Sequence, residues 1–326
     1  MNPAAPSLFA RLWQTSNTRL CLIALAGYTL AALWGEAAYR TARWRDRVPA
    51  YNQVHEAWRY QPPALLRPWS MVGGPWCPAT HHQPPTIDHQ PSTTHHRSLF
   101  PLGSDNLGRD VLQRLLQGTR IAFHVGVLTS LIALPLGVLL GCIGGYFGGR
   151  TDSFVVWLCA TVSSIPSLLL ILAVSMVVGK GLAGVTWGIG LTTWVGVCRS
   201  IRAEVIKHRG RTYVEAARVL GYSHARILLR HILPNVMHLV LISFSIRFPA
   251  AVGTEVFVSF LGIGVQGEPS WGVMLNNARL RLWQGVWWEL TFVTLALFGL
   301  VLVFNVLADR LRDLLDPSVV RHGKQA

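Results

Sequence analysis

The sequence predicts an all-α membrane protein with about six transmembrane helices. Of its 326 residues, 51% are hydrophobic and only 13% are charged, which is roughly half the charge density of a typical soluble domain. Several apolar stretches approach the ~20 residues that a helix needs to cross a bilayer. The thirteen Trp residues suit a chain with extensive membrane interfaces. These observations together indicate a polytopic helical protein.

The first apolar stretch covers residues 20–34 and follows Arg11 and Arg19. Its length is that of a signal-peptide core, but no small-residue cleavage site follows, and residues 35–39 can extend it to spanning length. We therefore expect an uncleaved anchor. Five further spans are predicted at residues 121–146, 153–178, 182–198, 237–262 and 287–308.

Three prolines, Pro135, Pro166 and Pro249, fall inside predicted spans. A proline frees a backbone carbonyl, which neighbouring helices or water must then satisfy. The kinks are compatible with ordinary helix packing and with conformational change.

The distribution of charge predicts the orientation. Residues 199–235 carry eight Lys and Arg residues against Glu204 and Glu215, and short cytoplasmic loops are rich in Lys and Arg. This loop is therefore predicted to be cytoplasmic, and six spans then place both termini on the same side. The net charge of +14 is explained by topology, because no nucleic-acid-binding motif is visible.

The predicted organisation has four parts. They are a cytoplasmic N-terminus with the first anchor (1–39), an outer loop (40–118), a transmembrane domain (119–310) that contains loop 199–235, and a cytoplasmic tail (311–326). The outer loop includes a stretch rich in Pro and His, whose histidines are His81, His82, His89, His95 and His96. Imidazole suits transition metals, but no carboxylate or Cys cluster joins these histidines, so no metal site is predicted.

The cytoplasmic segment 212–235 reads as two short helices joined by a turn. The first helix presents small apolar side chains, namely Val214, Ala216, Ala217 and Leu220. The residues that open and close the helices are Thr212 with Glu215 (the spacing of a capping box), Gly221 (a left-handed helix end), Ser223 (an N-cap) and Pro234 (the transition into the next span).

Two interpretations of the first short helix remain open on physical grounds. It can enter a groove of a soluble partner, or it can be a capped surface helix in which Glu215 serves only as a cap. No G-x-x-x-x-G-K-[ST] phosphate loop occurs in the chain, so energy from ATP would have to come from a partner.

Glu215-Ala216-Ala217, followed by Gly221 and by Leu233-Pro234, resembles the EAA loop of binding-protein-dependent ABC importer permeases. Residues 99–320 resemble the C-type subunit of the dipeptide, oligopeptide and nickel permeases. The blocks that carry this resemblance are LGSDNLGRDVLQRL (102–115), GYFGGRTD (145–152), SIPSLLL (164–170), YVEAARVLG (213–221), RHILPN (230–235), SFLGIGVQ (259–266), PSWGVML (269–275) and LRDLLDP (311–317).

The resemblance implies an ABC importer permease fold in which Glu215, Ala216, Ala217 and Gly221 form a coupling helix on an ATPase. It implies a heterodimer with a second, homologous permease, two ABC ATPases and an extracytoplasmic solute-binding protein, in a bacterial inner membrane. The chain itself would have no catalytic residue, metal or cofactor, and ATP would be used by the partners. Relatives handle dipeptides, oligopeptides, nickel or other small solutes.

The sequence departs from the family pattern at Gly267 and Glu268, where a Pro-Pro pair is usual, and at Ala308, where Gly is usual. Residues 40–98 do not match. A self-sufficient secondary carrier or channel is the competing class. Carriers commonly show internal repeats and a charged midplane site, neither of which is evident.

Arg247 and Glu255 lie within the fifth predicted span, where charges are costly and are usually functional or paired. Eight residues separate them, about 12 Å along a helix, so direct pairing would be marginal. A role in the translocation path and a structural ion pair with another helix both remain open.

An outer motif precedes the second span and comprises Ser104, Asp105, Gly108, Arg109 and Asp110. Acidic residues favour helix N-termini, so Asp105 and Asp110 are predicted to cap the helix that begins nearby. A second outer segment, residues 269–272, is expected to form a packed turn rather than a solute site.

Overall fold

The computed structural model describes residues 16–45, 48–54, 59–64 and 100–315. Within these ranges the regular structure is helical, apart from an isolated β-bridge between Ser104 and Asp110. The α-helices are α1 Ser16–Trp44, α2 Val111–Phe147, α3 Gly149–Ser164, α4 Ser167–Val178, α5 Leu182–Arg209, α6 Thr212–Val219, α7 His224–Ile227, α8 Leu233–Phe260, α9 Trp271–Arg279 and α10 Trp288–Leu315. Short 3-10 helices cover Ala50–Asn52 and Leu282–Gln284, and a π-turn, Leu228–Ile232, joins α7 to α8.

Four helices among the described residues are long and apolar enough to cross a membrane: α1, α2, the continuous α7–α8 and α10. The pair α3 and α4 makes a fifth if it is one bent span. The predicted span at residues 182–198 lies within α5, which is not among the helices apolar enough to cross a membrane. The described residues therefore contain four or five helices of spanning length and hydropathy, beside a prediction of about six.

The prediction of one kinked helix over residues 153–178 is wrong, because the chain turns by 89° between α3 and α4. Ile165 is extended, with φ −89° and ψ 130°, and Pro166 is the N-cap residue of α4. A proline disfavours helical geometry in the preceding residue. Pro166 therefore ends a helix, whereas Pro135 and Pro249 lie inside α2 and α8 as predicted.

Helices α2 and α5 form the centre of the described bundle and pack backbone against backbone. A Cβ atom added to Gly137 would lie 2.5 Å from Val197, and one added to Gly141 would lie 2.8 Å from the Cys198 carbonyl. Small residues at helix contacts permit this close approach in membranes. Ile189 and Ile201 of α5 are buried in apolar clusters that also contain residues of α2.

The helices extend beyond the apolar spans that the sequence predicts. The second span was expected at 121–146 but α2 begins at Val111, and the sixth was expected at 287–308 but α10 ends at Leu315. Hydropathy marks only the part of a helix that lies in lipid, whereas the polar turns on either side continue the same hydrogen-bond ladder. The five histidines considered for metal binding lie outside the described residues, as do residues 1–15 and 316–326.

Candidate functional site

Helix α6 begins at Thr212 as predicted, but the predicted capping box is absent. Arg211 is the N-cap residue, with φ −82° and ψ 145°, and no side chain caps the helix. Only Gly210 and Arg211 separate α5 from α6. This connection is so short that Thr212 is already helical, and its hydroxyl is not placed to accept an amide from the first turn.

The end of α6 confirms the predicted roles of Gly221 and Ser223. Gly221 has φ +74°, its amide donates to the Arg218 carbonyl at 3.0 Å, and the Tyr222 amide donates to the Ala217 carbonyl at 3.1 Å. These two bonds form a Schellman motif. The Ser223 hydroxyl accepts a bond from the Arg226 amide and caps α7. The turn between the two short helices is therefore tightly specified.

Helix α6 has one buried and one exposed face. Val214 and Ala217 are buried, with 0% and 3% of their surfaces exposed, whereas Glu215 and Ala216 are exposed. Val219 is 88% exposed and Leu220 is 70% exposed. We call the exposed face, Glu215, Ala216, Val219 and Leu220, the α6 outer face. The sequence reading missed Val219, although its spacing of four residues from Glu215 would have placed it there.

The buried face of α6 packs on three long helices near the ends that lie closest to it. Val214 and Ala217 belong to one apolar cluster, which also contains Cys142 and Tyr146 of α2, Val197, Ile201 and Val205 of α5, and Ile227, Ile232 and Val236. A displacement of α6 therefore cannot occur without repacking α2, α5 or α8, because packed interiors deform little.

Polar contacts reinforce this packing around Tyr146. Its hydroxyl lies 2.9 Å from Nδ1 of His224, and the Arg209 guanidinium donates to its backbone carbonyl at 3.4 Å. The Arg218 guanidinium lies 5.6 Å from the centre of its ring. On the opposite side of α6, the Tyr213 hydroxyl lies 2.7 Å from Nδ1 of His208, and burial raises the pKa of Tyr213.

Leu233 and Pro234 lie at the start of α8, where the resemblance placed the end of the EAA loop. They do not interrupt the helical path. Pro234 occupies the first turn of α8, where its missing amide costs no hydrogen bond. The π-turn before it keeps α7 and α8 in one helical path, and the Tyr222 ring stacks on His231 at 5.8 Å. The second short helix is thus the first part of the span.

Residues 133–321 match the family model described as the binding-protein-dependent transport system inner membrane component. The matched region contains α5, α6 and α8, and therefore the whole of the element described above. The chain belongs to this family. It is a multi-pass inner-membrane permease subunit of an ABC importer, and a self-sufficient carrier is not favoured.

Three relatives of this permease come from bacterial transport systems. The dipeptide transport system permease protein DppC of Bacillus subtilis is 37% identical over 67% of this chain and 69% of its own length. The oligopeptide transport system permease protein OppC of the same organism is 35% identical over 67% and 71%. The glutathione transport system permease protein GsiD of Pectobacterium atrosepticum is 37% identical over 67% and 72%.

A solved structure also resembles this permease. It is the MetNI methionine ABC transporter in inward-facing conformations, with a TM-score of 0.47 and 17% identity over 62% of this chain and 96% of that chain. The family assignment rests on the sequence comparisons, and the family is a transport component rather than an enzyme. Permeases of this kind work with ATPase and binding-protein partners.

Arg247 and Glu255, the two charges of α8, do not pair with each other. Glu255 is buried and accepts a 2.7 Å bond from the Ser259 hydroxyl, which in turn accepts the Val265 amide. Arg247 is half-buried and donates to the Thr193 carbonyl of α5. Glu255 thus belongs to the packing near the C-terminal end of α8, whereas Arg247 lines a cleft.

The outer motif is a compact turn in which the side chains of Asp105 and Asp110 have different structural roles. Asp110 caps α2 by accepting the Leu112 amide at 2.9 Å, as predicted, and burial raises its pKa. The prediction that Asp105 also caps this helix is wrong. One of its oxygens accepts the amides of Leu107 and Arg109, both at 2.9 Å.

Asp105 instead holds the turn together from within. Its second carboxylate oxygen lies 2.7 Å from the Arg109 guanidinium and 3.7 Å from that of Arg114. Gly108 has φ +71°, a conformation that glycine adopts without strain. Because the turn folds back on itself, Asp105 lies inside it and is too far from the first turn of α2 to act as its cap.

Glu268 and the segment after it form contacts that the sequence did not indicate. Gly267 has φ +82°, and the Glu268 carboxylate lies 3.0 Å from the Arg120 guanidinium of α2. The predicted packed turn at residues 269–272 is in part a helix start, because Ser270 caps α9 and Trp271 is its first residue. Trp271 is buried and donates to the Leu115 carbonyl at 3.1 Å.

Proposed function

We propose that this permease imports peptides or a related small solute, and that its α6 outer face is the docking surface for an ABC ATPase subunit. The observation that carries the docking proposal is the pairing of an exposed apolar strip, Val219 and Leu220, with a rigid buried face on the same short helix. An exposed apolar strip on a short helix suits the helix-in-groove mode of recognition.

The proposed assembly contains a second, homologous permease, two ATPases and an extracytoplasmic solute-binding protein. Both termini of this chain lie in the cytoplasm, on the same side as α6, because the eight basic residues of loop 199–235 favour that side. ATP is bound by the partners, and this chain contributes no cofactor. Closure of the ATPases pushes on α6, and the cluster beneath it passes the movement to α2, α5 and α8.

The solute class is supported by the three relatives, whose names specify dipeptides, oligopeptides and glutathione. These solutes share peptide bonds and a free carboxylate. Their common chemistry favours a peptide-type solute for this permease as well. A binding measurement on the cognate solute-binding protein, with a dipeptide, a pentapeptide and glutathione as competing solutes, decides among them.

The docking proposal is tested by a charge reversal at Glu215 on the α6 outer face and by a substitution in the turn that ends α6. The chain is produced together with its partner subunits as wild type, as Glu215→Lys and as Gly221→Asp, and the ATPase that copurifies is measured with ATP-dependent uptake. We expect both variants to lose most of the copurifying ATPase and of the uptake. Asp313→Lys reverses an exposed carboxylate at the far end of α10 and serves as the control.

Retention of both assembly and uptake in Glu215→Lys and Gly221→Asp would remove the coupling role from α6. Loss in Asp313→Lys as well would show that the assembly is sensitive to any change of charge on the cytoplasmic side.

A further inference from the structure

A small cleft that contains several hydroxyl groups lies around Arg247, between α2, α5 and α8. Its volume is about 50 Å³, and it is lined by residues of α2, α5 and α8, namely Thr129, Ser130, Ala133, Thr193, Ala250, Ala251 and Thr254. Four of these carry hydroxyl groups. Such a concentration of polar groups is unusual among helices that are otherwise apolar.

The cleft lies near the centre of the membrane. Thr129 is eighteen residues from either end of α2, and Arg247 is twelve residues beyond Asn235, about 18 Å along the helix. Half the ~30 Å thickness of the hydrocarbon core is of similar size. Ionisable side chains at this depth are costly and are usually functional.

Arg247 has no acidic partner among the residues that the structure describes. Its guanidinium donates to the Thr193 carbonyl, and no ion pair joins it to an Asp or Glu side chain in that part of the chain. A guanidinium has five N–H donors, so one backbone carbonyl leaves most of its bonding capacity unused. The site is therefore complementary to an anion that comes from elsewhere.

The surrounding structure is shaped to hold the guanidinium in place. A Cβ atom added to Gly196 would overlap one terminal nitrogen of Arg247, so α5 makes room for this side chain. Ala250 is exposed and Thr254 is half-buried, on the same side of α8. The cleft therefore opens at the surface of this subunit, and an unpaired cation on that surface is unfavourable against lipid.

The hydroxyl groups of the cleft act as acceptors. Those of Thr129 and Thr254 donate their hydrogens to carbonyls of their own helices, at 2.6 Å and 2.8 Å, as does that of Ser130 at 2.7 Å. Their lone pairs are then available to N–H groups. A cleft with one cationic donor and several acceptors is complementary to a group that carries both a carboxylate and an N–H.

We propose that the Arg247 cleft binds the carboxylate of the transported solute as it crosses the membrane, with the hydroxyl oxygens accepting N–H groups beside it. A volume of about 50 Å³ admits a carboxylate but not a whole peptide, since one water occupies about 30 Å³ in the liquid. This inference rests on the proposed import of a peptide-type solute and adds a recognition group within the path. Arg247 is a binding residue in this scheme, and Glu255 takes no part.

Uptake of two probes by the complete complex in proteoliposomes tests the proposal. The probes are dialanine and dialanine amide, which lacks the carboxylate. We expect Arg247→Gln to lower dialanine uptake at least tenfold while changing amide uptake by less than twofold, and Arg247→Lys to retain dialanine uptake within threefold. Arg199→Gln, which removes a guanidinium bonded to Ser163 near the cytoplasmic end of α5, is expected to alter neither.

If Arg247→Gln lowers the uptake of dialanine and of dialanine amide equally, or lowers neither, the assignment is overturned. Dissociation of the two permease subunits in Arg247→Gln would also overturn it, because the carboxylate would then belong to the second subunit.

Thiol labelling distinguishes a failure of this inference from a failure of the proposed function. Thr254→Cys is introduced after the five native cysteines have been replaced, and its rates of reaction with an anionic and a cationic methanethiosulfonate reagent are compared. We expect the ratio of anionic to cationic rate to fall at least threefold when Arg247→Gln is added. An unchanged ratio, or no reaction at all, would contradict an anion-binding cleft, even if the wild-type complex takes up neither peptide.

Discussion

The hydroxyl of Tyr146 and Nδ1 of His224 lie 2.9 Å apart and join the last turn of α2 to the first turn of α7. This contact bridges the central helix of the bundle and the helix that follows the α6 outer face. Tyr146 is buried, and its ring also packs in the cluster beneath Val214 and Ala217. A movement of α6 and α7 therefore has a direct polar connection to α2.

Removal of the Tyr146 hydroxyl should weaken this connection without opening a cavity. We expect Tyr146→Phe to cost about 1 kcal/mol of stability, as for a typical hydrogen bond, and to lower the amount of solute imported per ATP hydrolysed. Both uptake and ATP hydrolysis are measured in proteoliposomes. Tyr222→Phe is the control, since the contact of Tyr222 with His231 is ring stacking. If Tyr146→Phe imports as much solute per ATP hydrolysed as the wild type, this hydrogen bond does not contribute to coupling.

Gly221 and Gly210 form a matched pair for testing the turn after α6. An added Cβ meets no atom within 4 Å at either position, but φ is +74° at Gly221 and −92° at Gly210. A left-handed conformation costs a non-glycine residue about 1–2 kcal/mol. We expect Gly221→Ala to lower the Tm of the purified complex and its transport rate, while Gly210→Ala leaves both unchanged. Equal effects of the two substitutions would contradict this account.

Val219 and Val214 lie on opposite faces of α6 and should respond differently to a charge. Val219 is 88% exposed, so Val219→Asp should leave the thermal stability of this subunit unchanged while preventing copurification of the ATPase. Val214 is fully buried, so Val214→Asp should abolish folding, because an unpaired buried carboxylate is strongly unfavourable. Circular dichroism and pull-down measure the two effects. ATPase retained by Val219→Asp would remove this residue from the docking surface.

The Arg120–Glu268 contact explains one departure from the family pattern. Glu268 stands where a proline is usual, and its carboxylate lies 3.0 Å from Arg120, which also binds Glu36. In a double-mutant cycle of Arg120→Gln and Glu268→Gln we expect a coupling energy of about 1 kcal/mol, at the upper end for exposed pairs. The cycle is measured by thermal unfolding in detergent. Additive effects of the two substitutions would mean that the pair contributes nothing.

Gly118 permits close packing of α2 against Trp271. An added Cβ would overlap the indole ring, so Gly118→Ala should displace Trp271 and destabilise the protein by about 1–3 kcal/mol, as overpacking does. Gly27 of α1 has no atom within 4 Å of an added Cβ and provides the control. We expect Gly27→Ala to leave the Tm unchanged or to raise it slightly. A lower Tm in Gly27→Ala than in Gly118→Ala would refute the packing argument.

Local signals in the sequence sufficed for the helical class, for the turn after α6 and for the cap of α2. Apolar runs of spanning length, Gly221 as the end of a helix, and the carboxylate of Asp110 before Val111 all depend on residues close in sequence. The family resemblance could also be recognised from the sequence, because it depends on short segments that follow one another in a fixed order. These features involve only the backbone and its nearest neighbours, so the sequence determines them directly.

Other features were missed or misread, either because the local sequence is compatible with two outcomes or because the partner lies far away in the chain. Asp105 was expected to cap α2 but lies inside its own turn. Arg247 and Glu255 lie on one helix, but Arg247 contacts α5 whereas Glu255 bonds to Ser259. The break at Pro166 was read as a kink, since a proline in a span is compatible with either outcome. Val214 and Val219 have the same chemistry, yet one is buried and the other exposed.

The amino-acid sequence by itself therefore determined the class of protein, the family and the position of α6. Only the tertiary structure decided which face of α6 is exposed and which helices form the cleft around Arg247. The physical reason is that burial and charge pairing depend on residues far apart in the chain, such as Thr193 and Arg247, which the packing of α2, α5 and α8 brings together.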